Sequence, residues 1–129
     1  MGTEDRVGSM VITDEDRIFE IEVKERGKFR LKIPYPSERV AIGREISNQL
    51  GGASIVSVPP ESLGRATVLA TLSLVIVESP EWFNGVYRCL DEELLSQLYS
   101  EWTEKDSEFR ERLKKNQFTR ASLDKAKKA

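Results

Sequence analysis

A chain of 129 residues with 33% charged and 39% hydrophobic side chains has room for one domain and one core. Its formal net charge of −2 gives no overall electrostatic reason to expect nucleic acid, and the lack of any histidine removes the commonest general base and the commonest metal ligand together. A lone cysteine, Cys89, excludes an internal disulfide framework and fits a reducing cytoplasm.

The charges are unevenly placed. Residues 1–25 hold eight acids against Arg6, Arg17 and Lys24, whereas residues 110–129 hold eight bases against Glu111 and Asp124. Oppositely charged ends are compatible with intramolecular steering, with head-to-tail self-association, or with two solvated tails, the last being the commonest case. MGTEDRVGSM lacks a basic stretch followed by an apolar one, so no secretory signal is expected. Residues 1–16 read as a largely flexible acidic arm, with a short strand at 10–12.

From Ile18 to Lys24 the pattern alternates, with Phe19, Ile21 and Val23 on one face and Glu20, Glu22 and Lys24 on the other. Glu25–Lys28 is a turn in which Gly27 supplies the positive φ, and Phe29, Leu31 and Ile33 return with Arg30 and Lys32 between them. The spacing predicts a β-hairpin with acids facing bases. An isolated hairpin is marginal in water, so its apolar face must cover something.

Pro34-Tyr35-Pro36 ends the strand, and Ser37 is the candidate N-cap of a helix over 38–50 that stops at Gly51-Gly52. Gly43 inside that helix costs up to about 1 kcal/mol relative to alanine, which suggests close packing or a kink. The run Leu63–Phe83 is the centre of the sequence. Read as a helix over 61–77 it is apolar nearly all round and therefore buried nearly all round. A buried strand at 68–77 competes, since LSLVIV is β-branched and periodicity alone does not choose. The run falls short of the roughly 20 apolar residues needed to span a bilayer.

Pro80–Gly85 is a turn carrying Trp82 and Phe83. The last helix is expected at 91–115, acidic in its first turn and basic in its last, with Leu95, Leu98, Tyr99, Trp102, Phe109 and Leu113 as an apolar stripe broken by Asp106. Residues 116–129 form a basic tail expected to be disordered, or helical only when bound. The whole predicts an α+β domain over 17–115, an N-terminal β-hairpin packed on about three helices, with flexible termini.

No cysteine pair, phosphate-binding glycine loop or dinucleotide fingerprint occurs. Cys89 has no histidine to activate it and reads as a packing residue. Asp14-Glu15-Asp16 and Asp91-Glu92-Glu93 lack calcium-loop spacing and read as helix-start features. No enzyme, metal or cofactor is expected. Trp82 and Phe83 either close the core or anchor a partner. Tyr99 and Trp102 on the outward edge of the last helix, with Arg110, Arg112, Lys114 and Lys115, complete the candidate protein-binding set.

The order of a hairpin, IPYPSERVAIGREISNQLGG, ATLSLVIVESPEWF and DEELLSQLYSEWTEKDSEFR resembles tail assembly chaperones of long-tailed bacteriophages and prophages, over about residues 17–113. The ESPEWF turn and the acidic helix ending in Glu108, Phe109 and Arg110 carry most of the likeness. The resemblance implies a non-enzymatic protein of the bacterial host cytoplasm. Such a protein coats the tape measure protein, keeps it soluble, recruits tail tube subunits and leaves before the virion matures. A structural tail completion or connector protein is the alternative reading, and a small nucleic-acid-associated regulator using the basic tail is the third.

Overall fold

The computed structural model describes residues 4–7 and 10–115. Its architecture is α+β. Strand β1 (Glu4–Val7) pairs antiparallel with β2 (Met10–Thr13), and a single helical turn α1 (Asp14–Arg17) leads into the main hairpin of β3 (Ile18–Val23) and β4 (Gly27–Lys32). Helix α2 (Pro36–Gln49) and helix α3 (Pro60–Val75) follow, then strand β5 (Ile76–Glu78) and helix α4 (Glu92–Lys114). The three-stranded antiparallel sheet runs β3-β4-β5, with β4 in the middle.

The expected hairpin is present, with Ile21 opposite Phe29 and Phe19 opposite Leu31. Gly27 takes φ +115, as the turn requires, and a Cβ there would lie 2.8 Å from Cγ of Pro80, so two constraints meet at one glycine. The facing charges have re-paired. Lys28 reaches Glu20 at 3.9 Å, while Arg30 turns to Glu78 on β5 at 3.0 Å.

The acidic N-terminal stretch carries secondary structure where it is described. The strand expected at 10–12 is half of a second hairpin, and Ile12 is buried against Ile33 and Phe109. Asp16 accepts from the Thr13 amide at 2.9 Å while the Thr13 hydroxyl accepts from the Asp16 amide at 3.3 Å, a reciprocal cap that starts α1. One buried apolar anchor and one cap outweigh the composition of this segment. The basic tail at 116–129 lies outside the described residues.

The central run is both helix and strand. It is helical to Val75, then Ile76 and Glu78 pair with Leu31 and Arg30 of β4. Burial is one-sided rather than all round: Ala66, Ala70, Thr71, Leu72 and Val75 are buried, whereas Glu61, Ser62, Gly64, Arg65 and Ser73 stay in solvent. The polar first turns of α3 set that limit, and α2 and α4 pack on the remainder. The main core joins Ile21, Val23, Phe29 and Leu31 of the sheet to Ile42 of α2, Leu72 and Val75 of α3, and Leu94, Leu95, Leu98 and Trp102 of α4.

Helix α2 begins two residues earlier than expected. Pro36 occupies its first position, where a missing amide costs nothing, and Glu38 rather than Ser37 caps it by accepting the Tyr35 amide at 2.9 Å. Burial pushes the Glu38 carboxyl up, but the hydrogen bonds from Lys32 and from the Tyr35 amide, with the charges of Lys32 and Arg17, outweigh it and leave the pKa below the ordinary range. Close packing does not explain Gly43, since a Cβ there would meet nothing within 4 Å. Helix α4 starts at the Asp91 cap, whose carboxylate accepts the Leu94 amide at 3.1 Å, and ends one residue short of the expected limit. Among the described residues no helix is long and apolar enough to cross a membrane.

These placements generate three expectations. Leu72 is fully buried, so Leu72→Asp should cost more than about 4 kcal/mol and yield unfolded or aggregated protein; a soluble variant with a cooperative melt would show that α3 is not central. Gly43→Ala should raise the melting temperature by a few degrees, equivalent to at most about 1 kcal/mol; a lower value would reveal a packing role. Because the folded Glu38 pKa lies below its unfolded value, the unfolded chain takes up the proton first. Its stabilisation is therefore complete above about pH 4.3 and is lost as pH falls through the lowered folded pKa. The gap in melting temperature between wild type and Glu38→Gln should narrow from about pH 5 to about pH 3. A gap constant with pH would remove Glu38 from this role.

Candidate functional site

The eight residues singled out in the sequence fall into separate groups. Trp82 and Phe83 lie in the turn after β5, beside the β3–β4 turn. Phe83 is half-buried and meets Phe29 edge-on at 5.2 Å, so it closes the core. Trp82 is 50% exposed, yet its indole N–H donates to the Arg26 carbonyl at 2.9 Å and its ring stands edge-on to Phe83 at 5.8 Å. Part of the side chain is therefore tied into the fold and the rest is open to solvent.

Trp102 does not sit on an outward edge. It is 6% exposed and donates its indole N–H to the Lys32 carbonyl at 3.0 Å, because α4 turns this residue toward the end of β4. Tyr99 is half-buried and stacks on it, with ring centroids 6.1 Å apart. At the end of α4, Arg110 pairs with Asp106 at 3.2 Å, Arg112 with Asp16 at 3.8 Å and Lys114 with Glu111 at 3.9 Å, while Lys115 is exposed. The Arg26–Asp91 bridge, at 2.7 Å, puts the Trp82 turn by the start of α4. The basic group lies at the other end of that helix, roughly 30 Å away at 1.5 Å per residue.

A second surface is a groove of about 360 Å³ beside that basic end. Its apolar lining comes from Ile12 of β2, Ile33 and Pro34 after β4, Pro36 of α2, and Phe109 and Leu113 of α4. Tyr35 and three guanidinium groups, Arg17, Arg39 and Arg110, complete it. Arg17 organises this corner. Its Nε donates to the Ile33 carbonyl at 3.1 Å, its terminal nitrogens reach Asp14 at 3.2 Å and Glu38 at 3.5 Å, and its guanidinium carbon sits 3.7 Å from the Tyr35 ring centre. Such a group is held in place by bonds on every side.

Asp106, the residue that breaks the apolar stripe of α4, is buried, and its two oxygens serve two arginines. Arg39 of α2 holds one oxygen and Arg110 the other. Both arginines line the groove.

Sequence reading missed this groove because its walls come from positions 12–17, 33–39 and 109–113. The signals in the sequence were a rigid Pro-Tyr-Pro corner and an acid inside an apolar helix stripe. The acidic clusters are engaged in the fold: Asp14 with Arg17, Asp16 with Thr13 and Arg112, and Asp91 with Arg26 and the α4 cap. The Arg26 hydrogen bond holds the Asp91 carboxyl below the usual range, helped by the Leu94 amide. Cys89 is half-buried against the core, with its sulfur 3.6 Å from the Asp91 carbonyl. Set against protein-family models, curated proteins and solved structures, the chain gave no match in any of the three comparisons.

Proposed function

We propose that this protein is a non-enzymatic tail assembly chaperone of a long-tailed bacteriophage or prophage, acting in the bacterial host cytoplasm. In this reading it binds the tape measure protein and helps recruit tail tube subunits. The observation that carries the reading is the ESPEWF segment, the most distinctive part of the resemblance. It forms an aromatic turn in which Phe83 is spent on the core and half of Trp82 is left to solvent. A body with a charged surface, an open tryptophan face and a separate apolar groove suits the task of shielding apolar client segments, which needs contact area and no bond chemistry.

The test is co-expression with a candidate tape measure protein, scored by solubility and co-purification, followed by light scattering of a tape measure fragment. Wild-type protein should suppress the scattering. Trp82→Ala, which leaves Phe83 and the core cluster in place, should suppress it less at both low and high salt, because an apolar contact is not screened. A melting curve on the same sample separates lost contact from lost fold. Unchanged scattering with excess wild-type protein would remove the chaperone reading. Recovery of the protein from mature virions would favour the structural tail component instead.

A further inference from the structure

We propose that the groove between β2, the Pro34–Pro36 corner and the end of α4 receives one large apolar side chain of a partner polypeptide that carries a carboxylate within a residue or two of it. The inference rests on the reading that this protein binds another chain, and it adds where that chain docks and what its docking segment contains.

Size sets the first limit. About 360 Å³ is at the low end for ligand sites, enough for one or two large side chains and too little for the face of a helix. The floor of Ile12, Ile33, Phe109 and Leu113 offers contact to an apolar group. Pro34, Pro36 and the Arg17–Tyr35 stack hold the corner rigid, so little ordering opposes binding.

Charge sets the second limit. Among the described residues, every charged side chain in the lining is an arginine. Arg17 is matched by Asp14 and by Glu38, which it shares with Lys32. Arg39 and Arg110 share the one carboxylate of Asp106, so in the ion pairs of the lining arginines four cations meet three carboxylates. Arg110 is the outer member of the pair, its side chain 56% exposed. A guanidinium with donors to spare beside an apolar floor matches a carboxylate beside an apolar side chain. One excess charge over an apolar floor is a poor match for a nucleic-acid backbone, which takes a row of cations.

The full chain is titrated with blocked heptapeptides and followed by NMR shifts. The first probe has a central phenylalanine flanked by two glutamates, the second has lysines in place of the glutamates, and the third has serine in place of phenylalanine. The first should shift signals of Ile33, Phe109 and Leu113. It should bind up to about fivefold tighter than the lysine form, as one exposed charge pair allows, and at least about tenfold tighter than the serine form. The preference over lysine should fade in high salt. Leu113→Glu should weaken the first probe at least about tenfold, and Arg110→Glu, at an exposed side chain, should reverse the preference between glutamate and lysine. If Leu113→Glu fails to fold, the Arg110→Glu reversal decides.

Equal binding of all three peptides, shifts confined to other surfaces, or an unchanged preference in Arg110→Glu would overturn the proposal. So would decanoate filling the groove while no peptide does, since the occupant would then be an amphiphile. The two readings fail separately. Client solubilisation that survives loss of peptide binding in Leu113→Glu removes this groove as the docking point, whereas peptide binding without any client effect removes the chaperone.

Discussion

Strand β4 is the element on which the rest depends. Phe29 and Leu31 are both fully buried, and their face of the sheet is closed by α3 and α4. A hairpin alone does not hold its apolar face out of water, and Leu72 and Val75 of α3 with Leu94, Leu95 and Leu98 of α4 join that face in one core cluster. Each half of the fold therefore supplies what the other lacks. Fully burying side chains of this size is worth about 1.5–3 kcal/mol apiece, and the two together exceed any single surface ion pair in the molecule.

The two tryptophans fix the ends of that strand. Trp82 donates to the carbonyl of Arg26, just before β4, and Trp102 to the carbonyl of Lys32, its last residue. A half-buried or buried indole N–H needs a partner, and an edge carbonyl left by the turn or the strand end supplies one. The distant turn and the distant helix are thereby held in register on one strand. The contact of Pro80 with Gly27 acts at the same end as Trp82 and explains why no larger residue fits at the turn.

What was legible in the sequence followed from local periodicity. Phe19, Ile21 and Val23 against Glu20 and Glu22 declared a strand, and Leu95, Leu98, Trp102 and Phe109 declared a helix face, because each pattern repeats over several residues with one period. At LSLVIV no period dominates. The split at Val75 is decided by a partner, since Ile76 can take the open edge of β4 opposite Leu31 only by leaving the helix. The stripe shows that Tyr99 and Trp102 share a helix face but not that the end of β4 covers Trp102. The N-terminal hairpin was obscured by acids that carry out local work: Asp16 caps, and Asp14 holds Arg17.

Asp106 links this folding logic to the groove. A carboxylate inside an apolar stripe loses hydration, and burial of ion pairs often gains little net stability over a hydrophobic replacement. What it supplies here is position. One oxygen anchors Arg39 of α2 and the other anchors Arg110 one turn further along α4, so both guanidiniums stand at the wall of one groove. A leucine in its place would pack the stripe and leave two arginines with no common anchor. The same substitution would also raise the positive charge at the rim, so the acid that interrupts the helix pattern sets both the shape and the charge of this groove.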